Sequence, residues 1–438
     1  MKQPGKLVFV VLIAAIAAGN LFAGGGKQPA ASSGGPLSGE IRFSWWGNEL
    51  RNTATIEAIR DYEAKHPGSR IIPEYSTIDG FQEKLMAQIA AKNPPDIFSD
   101  NAEWLPALYE ANAMVDLTDL IDVSTHNPMV NQGCSVNGRL YGVNLSLNAN
   151  VIYYNKTQAD ELGIKMPTGA YTWNDLVKIC QEVYAKSGGK TYGMVDLRMV
   201  NGLETWVPAF NKTYGTKVSP FPWTDKEVFI TGDDVASFMD FFNKVPQGVI
   251  MPPDETATLS SHVDVPIAMR KTFLAFDYSG TFPMYQSQTQ DVLEMIEYPH
   301  DGRGKGSAVS ARPGIIESVY TGSKNQALAI DFIDYLANNP AAAKILKTVR
   351  GVLPSSTQRE ALLADPAALS DVDTKVFAIV NKIYAQSVDP FYPPPNGIST
   401  LFGDNYLKTI GQEVAFGRIT PAQAGQRFEE LKKEVLTY

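Results

Sequence analysis

The chain has 438 residues, 44% of them hydrophobic, 19% charged and 10% aromatic, a globular composition too long for one ordinary core, so two domains are expected. A formal net charge of −9 argues against a nucleic-acid or anionic-membrane footprint. Two cysteines and four histidines, none of the latter near another, with no HExxH or CxxC, give neither a disulfide scaffold nor a zinc cluster, and no metal or cofactor is expected.

The elements begin at the N-terminus. Lys2 and Lys6 precede an apolar run from Leu7 to Ala18, and small residues follow up to Ala23. This pattern predicts a secretory signal peptide over residues 1–23, cleaved after Ala23; the rival is an uncleaved membrane anchor, for which the run is short. No cysteine lies near the site, so lipid attachment through an N-terminal cysteine is not expected. Residues 24–38 are rich in Gly, Ser, Pro and Ala and read as a flexible leader.

From Ile41 the chain reads IRFSWWGNELRN. Alternation puts Ile41, Phe43 and Trp45 on one strand face and Arg42, Ser44 and Trp46 on the other. Ile56, Ile59 and Tyr62 recur at helical spacing, and Ile71-Ile72 begins a second strand. Asp79 and Gln82 suggest a capping box for a helix striped by Phe81, Leu85 and Ile89. Pro94-Pro95 stops it, and DIFSDN is a short third strand. This β-α-β-α-β order predicts an α/β fold with an open, mostly parallel sheet, whose ligands sit beyond the C-terminal strand ends, where Trp46 and Asp100 fall.

Two extended pieces follow, around Leu140–Val143 and Asn150–Tyr154. Thr172 can cap a helix opened by Trp173, with Leu176, Ile179 and Val183 on one face and Cys180 buried; Cys134 falls in a polar loop. An aromatic stretch around Trp206, Phe210, Phe221 and Trp223 precedes a helix at Val235–Phe242. Phe273–Phe276 is a strand that ends in Asp277, Tyr278 and a Gly280 turn. Leu328, Phe332 and Leu336 line a later helix, Pro340 starts the next, and Ile345 and Val349 face inward. DPFYPPPNGIST is a proline-stiffened loop. Thr420, Pro421 and Gln423 supply an N-cap, an N1 proline and an N3 partner for the last helix.

Taken in order, IRFSWWG, FQEKLMAQIAAKNPPDIFSDN, GRLYGVNLSLNANVIYYNK, TWNDLVKICQEV, FLAFDYSGTF, SKNQALAIDFIDYL, ILKTVRGVLPSS and TPAQAGQRFEELKKEV resemble the periplasmic solute-binding proteins of ABC importers, in particular those for sugars and oligosaccharides. The resemblance spans about 90% of the chain. It implies a two-lobed periplasmic-binding-protein fold with a central hinge and a solute cleft between lobes. It implies a first lobe over about 39–149 and 306–356 and a second over 150–305 and 357–438. It further implies a monomer in the periplasm, a carbohydrate ligand and ABC importer permease subunits as partners. The chain departs from the family in lacking a lipid-attachment cysteine and in carrying Phe282 where many members have tryptophan.

A sugar presents hydroxyls and apolar C–H faces, so its site needs polar side chains and an aromatic plane. The ligand-binding candidates are Trp46, Glu49, Asp100, Asn101, Asn148, Trp206, Asp277, Tyr278, Tyr392 and Asn396. Each has a rival reading: core packing for Trp46, helix capping for Asp100 and Asn101, and hinge orientation for Asn148. Trp104, Tyr153 and Phe282 read as core, and Arg198 and Arg270 as partners of nearby carboxylates. No GxSxG elbow, metal triad or GxxxxGK loop is present, so catalytic residues are not expected. A binder of another small solute, an exported sensory or adhesion receptor, and a glycoside hydrolase using two of the carboxylates stand as alternatives.

Overall fold

The computed structural model describes residues 37–200, 210, 223, 227–259, 264–300, 311–386, 391–402 and 407–436. The signal segment, nearly all of the leader, and Trp206 lie outside them. In order come β1 (Gly39–Trp46), α1 (Glu49–Lys65), β2 (Ser69–Ser76), α2 (Phe81–Ala90), β3 (Ile97–Asp100) and α3 (Leu105–Glu110). β4 (Ser135–Val136) and β5 (Arg139–Leu140) pair with each other, followed by β6 (Val143–Asn144), β7 (Leu147–Asn148) and β8 (Asn150–Asn155). Later come β9 (Leu274–Tyr278), β10 (Leu293–Ile296), β11 (Arg312–Pro313) and β12 (Ile316–Val319).

The first sheet has the order β2-β1-β3-β12-β6. β1 runs parallel to β2 and β3, as the β-α-β-α-β reading requires, but β12 is antiparallel to β3 and to β6. The predicted strand parity holds. Ile41, Phe43 and Trp45 are fully buried beneath α1 and the helix Gln326–Asn338, where Phe332 meets Phe43 at 5.7 Å and Tyr62 at 5.0 Å. Each such large apolar side chain contributes about 1.5–3 kcal/mol by leaving water. Trp45 Nε1 donates to Asn52 Oδ1 at 3.0 Å, so its polar edge is satisfied inside. The opposite face packs Phe98 against Phe81, Leu85, Trp104 and Leu108.

Several local expectations are corrected. Asp79 forms no capping box, because Gly80 takes the cap position of α2 with φ 71° and leaves Asp79 outside the helix. The helix Pro340–Leu346 ends at Lys347, φ 46°, so Val349 lies beyond it, although Ile345 and Val349 both pack partly buried against the core as expected. Cys134 lies in a buried 3-10 turn, not in a polar loop; it and Cys180 are both free thiols. Asp277 and Tyr278 belong to β9 itself and do not follow it. The capping boxes at Thr172–Asp175 and Thr420–Gln423 are both formed.

The second sheet, β10-β8-β9, is antiparallel throughout. On one side Tyr153, Phe282, Val376, Phe377 and Val380 form a core with the helix Asp371–Gln386. On the other, Trp173 stacks on Phe276 and meets Phe242 edge-on, bringing in the helices Trp173–Lys186 and Gly232–Asn243. The last helix, Pro421–Val435, packs against Gly232–Asn243.

Three stretches of the described chain run side by side between the sheets. β7 pairs with β11, and Leu147 exchanges backbone hydrogen bonds with Val352 at 2.6 and 3.0 Å. Only Ala149 separates β7 from β8 in the second sheet, and only Gly314 and Ile315 separate β11 from β12 in the first. Asn148 is the post they turn around. A Cβ on Gly280, Gly314 or Gly351 would come within 2.2–2.6 Å of its side chain, so the close approach itself demands glycine at each.

Candidate functional site

Parallel strands β1 and β3 end on the same side of the first sheet, and the site grows from those ends. After Trp46 the chain turns at Gly47, and Asn48 caps α1 by accepting from Arg51 N at 3.0 Å. Glu49 stands exposed in the first turn, where its charge suits the helix N-terminus. Arg51 folds back beneath the turn, donating to Trp46 O at 3.1 Å and to Val349 O at 3.3 Å. Trp46 is half-buried, its ring 5.2 Å from both Phe81 and Trp104. It therefore edges a core cluster while keeping part of its surface open. Trp104 is buried in that cluster, as expected.

Asp100, at the end of β3, is fully buried. Ser318 Oγ lies 2.7 Å from its Oδ2 and 3.0 Å from Tyr141 O. A hydroxyl has one proton to give to two acceptors. Ser318 therefore donates to only one of the two at a time. Burial pushes the carboxyl well above the usual carboxylate range, the Ser318 bond opposes this, and neighbouring Glu317 adds to it. Asp100 Oδ1 and Asn101 Oδ1 are covered and have no hydrogen-bond partner among the described residues. A buried acceptor without a donor is costly, and two of the nine covered side-chain polar atoms without a partner among the described residues stand together at this strand end.

In the turn that follows, Glu103 reaches across to Arg312 of β11. Neither residue was singled out in the sequence. They meet over a separation of 209 residues, and the one hint was that Glu103 shares the turn of Asp100 and Asn101. Arg312 Nη1 lies 3.4 Å from the Tyr278 hydroxyl, and the guanidinium sits over the Tyr278 and Phe391 rings at 5.5 and 4.9 Å. Arg312 thus joins the first sheet's strand ends, the crossing strands and the second sheet.

Asn148 opposes Arg312 in register; its Nδ2 lies 3.5 Å from Arg350 O, and its Oδ1 accepts from Ser279 Oγ at 3.4 Å. These contacts orient the crossing backbone. Asp277 Oδ1 accepts from Tyr278 N at 2.6 Å, and Tyr153 donates to Tyr278 O beside the buried Phe282. The proline-stiffened loop enters through Phe391. Tyr392 O accepts from Trp223 Nε1 at 3.0 Å, and Asn396 Nδ2 donates to Glu110 of α3.

Asn148, Tyr278 and Phe391 therefore meet at Arg312, which Glu103 pairs from the turn after Asp100 and Asn101, and Trp46 packs on Trp104 of that turn; Tyr392 and Asn396 contact Trp223 and Glu110 instead. Glu49, exposed in the first turn of α1, is not among the residues that meet at Arg312. Arg198 pairs with Asp196, and Arg270 with Asp291 and Glu161, as their ordinary reading holds. Among the described residues no group of three or more His, Cys, Asp or Glu could hold a metal ion, and no helix is long and apolar enough to cross a membrane.

The model of the family described as bacterial extracellular solute-binding proteins matches residues 57–374. The multiple sugar-binding protein of Streptococcus mutans is 28% identical over 158 residues, covering 34% of each chain. The diacetylchitobiose binding protein of Streptomyces coelicolor is 28% identical over 134 residues, covering 30% of this chain and 31% of that one. The chain spans about a third of the length of these curated relatives. Among solved structures, a periplasmic solute binding protein from Pectobacterium atrosepticum superposes with a TM-score of 0.78 at 20% identity, over 90% of this chain and 99% of that one. A periplasmic oligogalacturonide binding protein from Yersinia enterocolitica gives 0.73 at 20% identity, over 90% and 99%. These likenesses establish the two-lobed α/β periplasmic-binding-protein fold.

Proposed function

We propose that this chain, which belongs to the bacterial extracellular solute-binding proteins, captures a mono- or oligosaccharide without turnover in the cleft between its lobes and delivers it to an ABC-type membrane importer. The observation that carries the sugar reading is the strand-end arrangement. Trp46, half-buried against Phe81 and Trp104, ends β1 on the same side of the sheet where β3 ends in Asp100 and Asn101, whose covered Oδ1 atoms lack donors among the described residues. A pyranose supplies what both need, a C–H face to stack and hydroxyls to donate. The sugar-binding names of the Streptococcus and Streptomyces relatives support the same class.

The proposed division places residues 39–149 and 306–356 in one lobe and 150–305 and 357–438 in the other, hinged at the crossing strands around Asn148. A solute that bridges the lobes draws them together by its greater affinity for the closed state. Export by a signal peptide cleaved after Ala23, residence in the periplasm and a monomeric state belong to the same reading.

The test is calorimetric titration with mono- and oligosaccharides, amino acids, peptides and polyamines. Saturable binding to a sugar, with a smaller radius of gyration in solution scattering, is expected. Tight binding only to an amino acid or peptide ends the sugar reading, and steady cleavage of a glycoside would replace capture by hydrolysis.

A further inference from the structure

Glu103 and Arg312 meet where the turn after β3 comes against β11. They join a first-sheet turn to a crossing strand, and they are not sealed in, with 16% and 11% of their side chains exposed. A guanidinium in a cleft offers a planar edge that takes a carboxylate side-on, and this makes arginine the usual reader of acidic ligands. Here the chain's own carboxylate already lies against that edge, and the Tyr278 hydroxyl lies by the other amino group. The cation faces are spread over Phe391 and Tyr278, which fixes the guanidinium plane. An acidic sugar entering beside Arg312 must expel Glu103 or place a second negative charge next to it in a partly dehydrated space. An uncharged sugar meets a pair whose charges cancel.

We propose, resting on the carbohydrate reading, that Glu103 is a built-in counter-ion that restricts the cleft to uncharged sugars. Arg312 is the latent acid-sugar reader that Glu103 keeps occupied. The pair determines specificity by charge, separately from the stacking and hydroxyl contacts at Trp46, Asp100 and Asn101.

The test is titration of the wild-type chain, Glu103→Gln and Glu103→Gln/Arg312→Gln with neutral oligosaccharides, with oligogalacturonides of the same lengths, and with the methyl esters of those oligogalacturonides. The wild type should bind neutral sugars and prefer the methyl ester to the free acid by at least tenfold. Glu103→Gln should gain at least tenfold for the free acid, the gain shrinking at high salt, and the double variant should lose it. Equal wild-type affinity for ester and acid overturns the proposal, as does a folded Glu103→Gln whose affinity for the acid stays within twofold of wild type. The ester comparison needs no variant, so it decides the matter even if the substitutions unfold the chain. A wild type that binds no sugar of either charge refutes the carbohydrate reading itself, an outcome distinct from sugar binding without charge discrimination.

Discussion

Replacing Arg350 by methionine should destabilise the chain strongly, and more so at alkaline than at acid pH. Arg350 is 2% exposed and Glu317 is fully buried, and Nη1 donates to Oε1 at 2.8 Å. Ser99 Oγ lies 2.9 Å from both carboxylate oxygens, and Arg350 Nη2 donates to Thr55 Oγ1 at 3.0 Å. Methionine retains much of the arginine volume, so the loss is mainly electrostatic. Removing one partner of a buried pair costs about 3–5 kcal/mol, because the other charge is left without compensation. Burial pushes the Glu317 carboxyl from 4.5 up to about 7, even with Arg350 pulling it back. At about 1.4 kcal/mol per pH unit, that interval corresponds to about 3 kcal/mol. A folded-state value above the unfolded one means that the linked stability is fully present below pH 4.5 and is lost as pH rises through about 7. Without Arg350 the carboxyl moves higher still and the interval widens. Urea unfolding of wild type and variant at pH 5 and pH 8 should show a deficit of about 3–5 kcal/mol at pH 8 and a clearly smaller one at pH 5. A deficit below about 1 kcal/mol at pH 8, or one equal at the two pH values, would refute the reasoning.

Trp46→Ala should weaken sugar binding by about 1–3 kcal/mol, while costing less stability than the roughly 3–5 kcal/mol of a fully buried tryptophan; calorimetry and thermal melting on the same variant separate the two, and collapse of stability with normal binding would make Trp46 core only. Gly314→Ala should destabilise by about 1–3 kcal/mol, since its Cβ would lie 2.2 Å from Asn148 Nδ2 and 2.4 Å from Ser146 Oγ; unchanged unfolding by urea would show that the crossing strands yield freely. Cys134 and Cys180 are buried, and burial pushes both thiols up, so neither should react with a thiol reagent until the chain is unfolded; prompt labelling of the native chain would contradict their placement.

Local physics made much of the fold legible in the sequence. Alternation from Ile41 to Trp46 gave both strand faces, because a strand's side chains must alternate whatever lies beyond it. Thr172 and Thr420 announced their helices because a cap is closed by residues three positions apart. Asp79 misled because Gly80, with no side chain to pattern, took the cap by its backbone angle alone. Cys134 read as a loop residue because its polar neighbours hid that Pro313 and Phe391 close over the adjoining turn at Gly133. For the site, strand ends pointed to Trp46, Asp100 and Asn101. Glu103 and Arg312 were not legible, since their meeting needs a strand exit and a crossing strand far apart in the chain. Asn148 was noticed, but its contacts with three glycines depend on packing that no spacing encodes.

The strand order β2-β1-β3-β12-β6 also sets a clock. β6 ends at Asn144, yet the strand that must lie between it and β3 begins at Ile316, 172 residues later (316 minus 144). Chains are synthesised at roughly 5–20 residues per second, so β6 waits on the order of 10–30 s for its neighbour to exist. During that time the exposed edge of β3, ending in Ser99 and Asp100, has no Glu317 or Ser318 to bind. The second sheet has its three strands once Ile296 is made, before the first sheet can close. The first sheet thus gains its last strand after the second sheet has all three of its own, and until then the open β3 edge is one on which a stalled chain would pair with another.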